Sequence, residues 1–254
     1  MVEVIPAEGE SHLARLTRHE LKDDKFKSAF EEYEHFAKQH YREIAVAVGM
    51  ALFIVGLVFG LRYLMASEEA AANAQLGEAL ETFHAYVGAP APGSPAPTFS
   101  TAQEKYTKAL AEFSAMTDLK GWANVLPTQR AVRIARYHVG LCQAELGDQD
   151  GAIKTLTQAA NDRNAEISSL ARYALAGQLV KTGKTADAIK LYQNLEDHPT
   201  TAIPRATAEL AQADTLRTTQ PAEARRIYEH MQREYASDAT LAESIRQQIA
   251  SLPK

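Results

Sequence analysis

Eighteen consecutive residues without a charged or amide side chain, Ile44 to Leu61 (IAVAVGMALFIVGLVFGL), constrain this chain more than any other feature. As a helix rising ~1.5 Å per residue the run extends roughly 27 Å, close to the ~30 Å hydrocarbon thickness of a bilayer. The expectation is a single membrane-spanning helix over residues 44–66. Two other readings fit an apolar run. A cleaved export signal is one, since Ala72-Asn73-Ala74 is a small-residue cleavage pattern, but the polar segment ahead is long and the run exceeds a typical signal core of ~7 to 15 residues. A buried core helix is the other, but such a helix rarely lacks every charged or amide side chain over this length.

The flanks give the span a direction. Residues 1–43 carry seven basic side chains, Arg15, Arg18, Lys22, Lys25, Lys27, Lys38 and Arg42; after the run Arg62 stands at the boundary and the next is Lys105. Orientation follows the Lys and Arg count near the span, so the N-terminus is expected in the cytoplasm and everything from about Ser67 on the far side. Tyr41 and Tyr63 bracket the run at headgroup level. Gly56 and Gly60 have the GxxxG spacing that lets two helices approach, which makes them the candidate transmembrane contact and a route to a homo-oligomer. Ahead of the span, Thr17 and Glu20 have capping-box spacing and Phe26, Phe30, Tyr33, Ala37 and Tyr41 recur every three or four residues, so residues 1–43 read as a cytoplasmic amphipathic segment.

Residues 67–254 are long enough for one domain with its own core. Ala, Leu, Gln, Glu and Arg recur there at spacings of three and four, and no Val- or Ile-rich alternation interrupts them, so the fold class is all-α. A formal charge of −5 argues against nucleic acid as a partner. The lone Cys142 has no intramolecular disulfide partner and sits in an apolar helical context, which suits a buried, inert thiol.

The soluble portion repeats itself every 36 residues. Ala135-Arg136-Tyr137 returns as Ala171-Arg172-Tyr173, Gly147 as Gly183, and Ala152-Ile153-Lys154 as Ala188-Ile189-Lys190, while Ala224 and Tyr228 continue the register from Ala188 and Tyr192. Each unit reads as two helices. Gly147 and Gly183 fall between them, where a left-handed residue ends the first helix. Ala152, Ala188 and Ala224 lie in the second helix, where a small side chain permits close approach, and Leu156, Tyr192 and Tyr228 cover the same face one turn later. Three such repeats and a capping helix, started by Asp238 and running over about Ala239 to Ser251, fill residues 131–254. Residues 67–130 read as a degenerate hairpin in which Ala109 and Phe113 echo the same spacing. Within it, four prolines over residues 88–98 predict an extended loop, and Leu119 to Pro127 form a further insertion.

No set of residues suggests catalysis, a cofactor or a bound metal. His12, His19, His35 and His40 lie in the polar N-terminal segment, and His19-Glu20 lacks the second His of a zinc-protease helix. Gly183-Lys184-Thr185 is not a phosphate loop, because the required earlier glycine is Gln178 and no strand precedes it. The chain is not expected to be an enzyme.

The repeat resembles the tetratricopeptide family. Its small residue late in the first helix, inter-helix Gly, and Ala followed by a large residue have counterparts in Gly140, Gly147, Ala152, Leu156 and Ala159, and again in Ala176, Gly183, Ala188, Tyr192 and Leu195. Departures are Arg136 and Arg172 in place of an early aromatic, Thr219 at the third turn's Gly position, and a spacing of 36 against ~34. The resemblance implies a TPR-like α-solenoid whose first helices line a concave groove for protein. The groove positions are Ile134, Tyr137, Leu141 and Ala144, then Leu170, Tyr173, Gly177 and Val180, then Ala206, Glu209, Ala213 and Leu216. The other reading of these side chains is packing against a helix of the same chain, such as residues 67–86. The whole layout, a cytoplasmic tail, one span and extracytoplasmic hairpins, resembles the bacterial ancillary subunit of the SecYEG translocon, the YfgM-type family. That resemblance implies an adaptor contacting the Sec translocon, periplasmic chaperones and exported chains. Alternatives are a scaffold for cell-envelope or cell-division complexes and an accessory subunit of a separate enzyme or sensor.

Overall fold

The computed structural model describes residues 39–88, 98–117 and 129–252. The amphipathic segment up to Ala37 with its His12, His19 and His35, the interior of the proline-rich loop and the insertion at residues 119–127 lie outside the described residues. The chain forms two units, residues 1–63 and 64–254.

The first unit contains the apolar part of α1 (Tyr41–His84), a helix of 44 residues. None of its most apolar 18-residue window is buried, and Phe53, Phe59 and Leu52 stand open. A core helix hides such side chains, so that reading does not describe this one; the helix is long and apolar enough to cross a membrane. The proposed cleavage pattern at Ala72 lies inside the unbroken helix, with Ala72 already buried. Gly56 and Gly60 are exposed, with open space where a Cβ would project.

Among its described residues the second unit is all-helical apart from one small feature. In α1, Ala72, Leu76, Ala79 and Thr82 recur at spacings of three and four and are buried on one face. Ala72, Leu76 and Ala79 share a core cluster with Ala109, Phe113 and Met116 of α2 (Ala102–Thr117) and with Ala131, Ala135 and Cys142 of α3 (Gln129–Glu145). The expected echo of the repeat at Ala109 and Phe113 is therefore interior, and Cys142 is buried as expected. Burial pushes the Cys142 thiol up to about 12, with Glu145 adding to it and Lys105 opposing, so the thiolate form is suppressed.

The proline-rich segment is not simply an extended loop. Its ends are tied by a parallel pair, β1 (Tyr86–Val87) with β2 (Thr98–Phe99), in which Tyr86 pairs with Thr98 and Val87 with Phe99. Gly88 N–H donates to Phe99 O at 2.9 Å. The prolines at 90, 92, 95 and 97 fall between the strands, so they remove no donor from the ladder.

From α3 onward each helix packs on the next: α4 (Gln149–Ala160), α5 (Ala165–Lys181), α6 (Thr185–Asp197), α7 (Arg205–Leu216), α8 (Pro221–Glu234) and α9 (Ala239–Ala250), and α3 also touches α5. The turns inside the first two hairpins, α3–α4 and α5–α6, share one backbone design. Gly147 has φ +84° and Gly183 φ +76°. Asp148 N–H reaches Gln143 O at 2.9 Å, and Lys184 N–H reaches Leu179 O at 2.8 Å. These bonds, spanning five residues, satisfy the last carbonyls of α3 and α5 as a left-handed C′ glycine allows. At the third turn, where Thr219 replaces glycine, the chain uses Pro221 at the first position of α8 instead, and no non-glycine residue takes positive φ among the described residues.

The recurring residues are interior. Ala152, Ala188 and Ala224 are fully buried, as are Leu156 and Tyr228, and Tyr192 nearly so. Each of the larger side chains contributes roughly 1.5–3 kcal/mol by leaving water. Asp148, Asn164 and Asp238 cap α4, α5 and α9 with their side chains, the last as expected. The long connection from α6 to α7 is held by polar bonds: Glu166 accepts from Ala202 N–H at 2.7 Å, and the hydroxyls of Ser169 and Thr200 lie 2.8 Å apart. Arg172, which stands where the resemblance expects an aromatic, donates to Asn194 Oδ1 at 3.0 Å across α5 and α6.

Candidate functional site

The residues expected to line a protein-binding groove divide into two sets. Ile134, Tyr137 and Leu141 on α3, Leu170, Tyr173, Gly177 and Val180 on α5, and Ala206 on α7 are partly exposed. Tyr137, Leu170, Tyr173 and Val180 all pack against one core cluster while keeping part of their surface in solvent. The Tyr173 ring meets Tyr192 edge-on at 5.8 Å, which fixes its orientation. Burial raises the hydroxyl pKa of both Tyr137 and Tyr173 above the ordinary phenol value, with Asp214 adding to the second. Both remain neutral hydrogen-bonding tips on apolar bodies.

The second set corrects the expectation. Ala144, Ala213 and Leu216 are buried, and Ala213 and Leu216 belong to the core shared with Tyr228 and Met231 of α8. They cannot meet a partner without opening the hairpin. Ala213 and Leu216 lie on the part of α7 that packs on α8, whose Tyr228 and Met231 share their core cluster.

Glu209 is the fourth such case, because it is only 6% exposed although it occupies the register position of Tyr137 and Tyr173. The Tyr235 hydroxyl donates to Glu209 Oε2 at 3.1 Å. Burial raises the Glu209 carboxyl above its ordinary range; Tyr235 opposes that, Glu234 adds to it, and His230 and Arg205 pull it back.

Around Glu209 lies an open cleft of ≈ 410 Å³ between α6, α7 and α8, lined among others by Glu196, Gln212, Glu223 and His230. Glu196 is partly buried there, and its Oε1 has no hydrogen-bond partner. Burial first, then Glu209 and Asp197, push the Glu196 carboxyl up to about 7, against a smaller opposing effect of Arg205. One donor atom each of Glu209, His230 and Glu234 lie within 4.8 Å of one another. This grouping was missed in the sequence, where the only signal is the four-residue spacing of His230 and Glu234 on one helix face.

A second cleft carries the opposite charge. Arg133, Arg136 and Arg163 gather with Asp162 near the α4–α5 turn, and Arg133 Nε lies 3.6 Å from Asp162 Oδ2. Arg136, like Arg172, thus has a polar surface role at the position where an aromatic was the family expectation.

Comparison with protein-family models, with curated proteins and with solved structures finds no significant match to this chain.

Proposed function

We propose that this chain is a membrane-anchored, non-enzymatic adaptor whose helical hairpins form a tetratricopeptide-like α-solenoid and present a protein-binding face outside the cytoplasmic membrane. The observation that carries the reading is the agreement between sequence register and packing. Residues 36 apart adopt the same positive-φ turn at Gly147 and Gly183 and the same buried small position at Ala152, Ala188 and Ala224. The same register leaves Tyr137 and Tyr173 partly exposed on α3 and α5, two helices in contact. Amphipathic rings held by their own core lose little conformational entropy on binding, and so suit a helix or an extended peptide laid across them. The face is made by Ile134, Tyr137, Leu141, Leu170, Tyr173 and Val180.

The Lys and Arg excess before the apolar helix supports an N-in anchor, which puts this face in the periplasm of a bacterial cell. The resemblance to the ancillary subunit of the Sec translocon then makes the translocon, periplasmic chaperones and emerging chains its partners. A photo-reactive residue placed at Tyr137 or Tyr173 of the full chain in native membranes tests this. The reading expects covalent adducts with a translocon subunit, a chaperone or an exported chain. Absence of all three from both positions contradicts it.

A further inference from the structure

We propose that Glu209, His230 and Glu234 form a binding site for a divalent transition-metal cation of the zinc type, bridging α7 and α8. This goes beyond the adaptor reading and does not depend on it.

The geometry is close to what such a cation requires. A tetrahedral zinc with bonds of ~2.0–2.2 Å holds its ligand atoms roughly 3.3–3.5 Å apart. His230 Nδ1 and Glu234 Oε2 already stand 3.5 Å apart, and the whole set lies within 4.8 Å. His230 and Glu234 are exposed side chains one helical turn apart on α8, so small rotamer changes close the remaining distance. Glu209 is the opposite case, buried on α7 and oriented by the Tyr235 hydroxyl, as the outer partners of metal-bound carboxylates commonly are. One mobile pair and one fixed carboxylate let the site close on an ion and leave a coordination position for water.

The chemistry of the donors selects the ion. An imidazole with two carboxylates suits zinc and its first-row neighbours, whereas magnesium and calcium take oxygen ligands. The surroundings point the same way through charge. The cleft gathers Glu196, Glu223 and Glu229 beside Glu209. Arg226 pairs with Glu223 at 2.6 Å within the cleft, while Arg205 and Arg233 balance only part of the remaining acids. Independently of the triad, Glu196 also lines this cleft, and its buried Oε1 has no hydrogen-bond donor. An added positive charge offsets the repulsion between Glu196 and Glu209.

The test is calorimetric titration of zinc chloride into the full chain, purified in detergent and stripped with chelator. The expected result is one zinc equivalent that His230→Ala and Glu234→Gln each weaken by about tenfold or more. Glu243→Gln, an exposed change on α9 away from the cleft, leaves it unchanged. Zinc also raises the melting temperature of the parent chain and no longer does so in the two triad variants, because an ion that binds only the folded state stabilises it. Both altered side chains are exposed, so the variants keep the parent fold. Zinc binding unchanged in His230→Ala and Glu234→Gln overturns the proposal, as does magnesium binding this site as tightly as zinc.

Discussion

A Cβ added to Gly140 would stand 2.7 Å from Cγ and 2.8 Å from Cδ2 of Leu156, so α3 and α4 meet at a separation that no other residue fits without displacement. Leu156 is fully buried and has nowhere to retreat. Gly140→Ala therefore meets two opposing effects, overpacking of about 1–3 kcal/mol and a helix-propensity gain of about 1 kcal/mol. We expect a net loss of about 1 kcal/mol in chemical denaturation. Leu156→Ala alone costs about 2–5 kcal/mol, and the double variant should lose clearly less than the sum of the two. Simple additivity would show that the two positions do not constrain one another.

The turn glycines and the helical glycine should respond in opposite directions. At Gly147 and Gly183 the backbone is left-handed, and alanine there costs roughly 1–2 kcal/mol. Gly177 lies within α5 with no atom near its projected Cβ, so Gly177→Ala should stabilise by about 0.5–1 kcal/mol. Midpoints in urea check the three variants side by side.

Glu196 makes the fold lose stability as the pH rises from about 4.5 toward about 7. Its carboxyl titrates near 4.5 when unfolded and at about 7 in the fold, so the native state holds the extra proton between those values. Stability from this group is full below about 4.5 and declines as the pH climbs to about 7. Glu196→Gln should remove that slope and gain on the order of 1–2 kcal/mol at pH 7.5, allowing for solvent screening. An unchanged slope in melting temperature against pH would contradict the assignment.

His138 acts in the other direction on the acid side. Its ring stacks on Phe113 at 4.9 Å and meets Phe83 edge-on at 4.9 Å, and its Nδ1 has no hydrogen-bond partner. Burial, with His84 adding to it, lowers the imidazole from 6.5 to about 4. The unfolded chain takes the proton first, so stability is full above 6.5 and falls as the pH drops toward about 4. His138→Phe keeps the ring packing and should abolish this loss, on the order of 2 kcal/mol, in melts recorded between those limits.

What the sequence made legible is what repeats. Ala152, Ala188 and Ala224 are diagnostic because each copy must solve the same close approach, and a positive-φ turn between packed helices calls for glycine at 147 and 183. Asp238 was readable for the same kind of reason, since a cap is a local bond to the next two or three amides. The parallel pair at Tyr86–Val87 and Thr98–Phe99 was not, because two-residue strands have no alternation to detect. Glu209 misled for a different reason. Its register matches Tyr137 and Tyr173, but Tyr235, 26 residues away, covers it, and no local pattern encodes that contact. The Glu209, His230 and Glu234 grouping depends on the same non-local packing of α7 and α8.

The anchor is the claim on which the rest of the functional account stands, and alkaline carbonate extraction of membranes from cells producing the full chain measures it directly. A helix that spans the bilayer through Ile44 to Leu61 keeps the protein in the membrane pellet. Release of the intact chain into the alkaline supernatant would contradict the account.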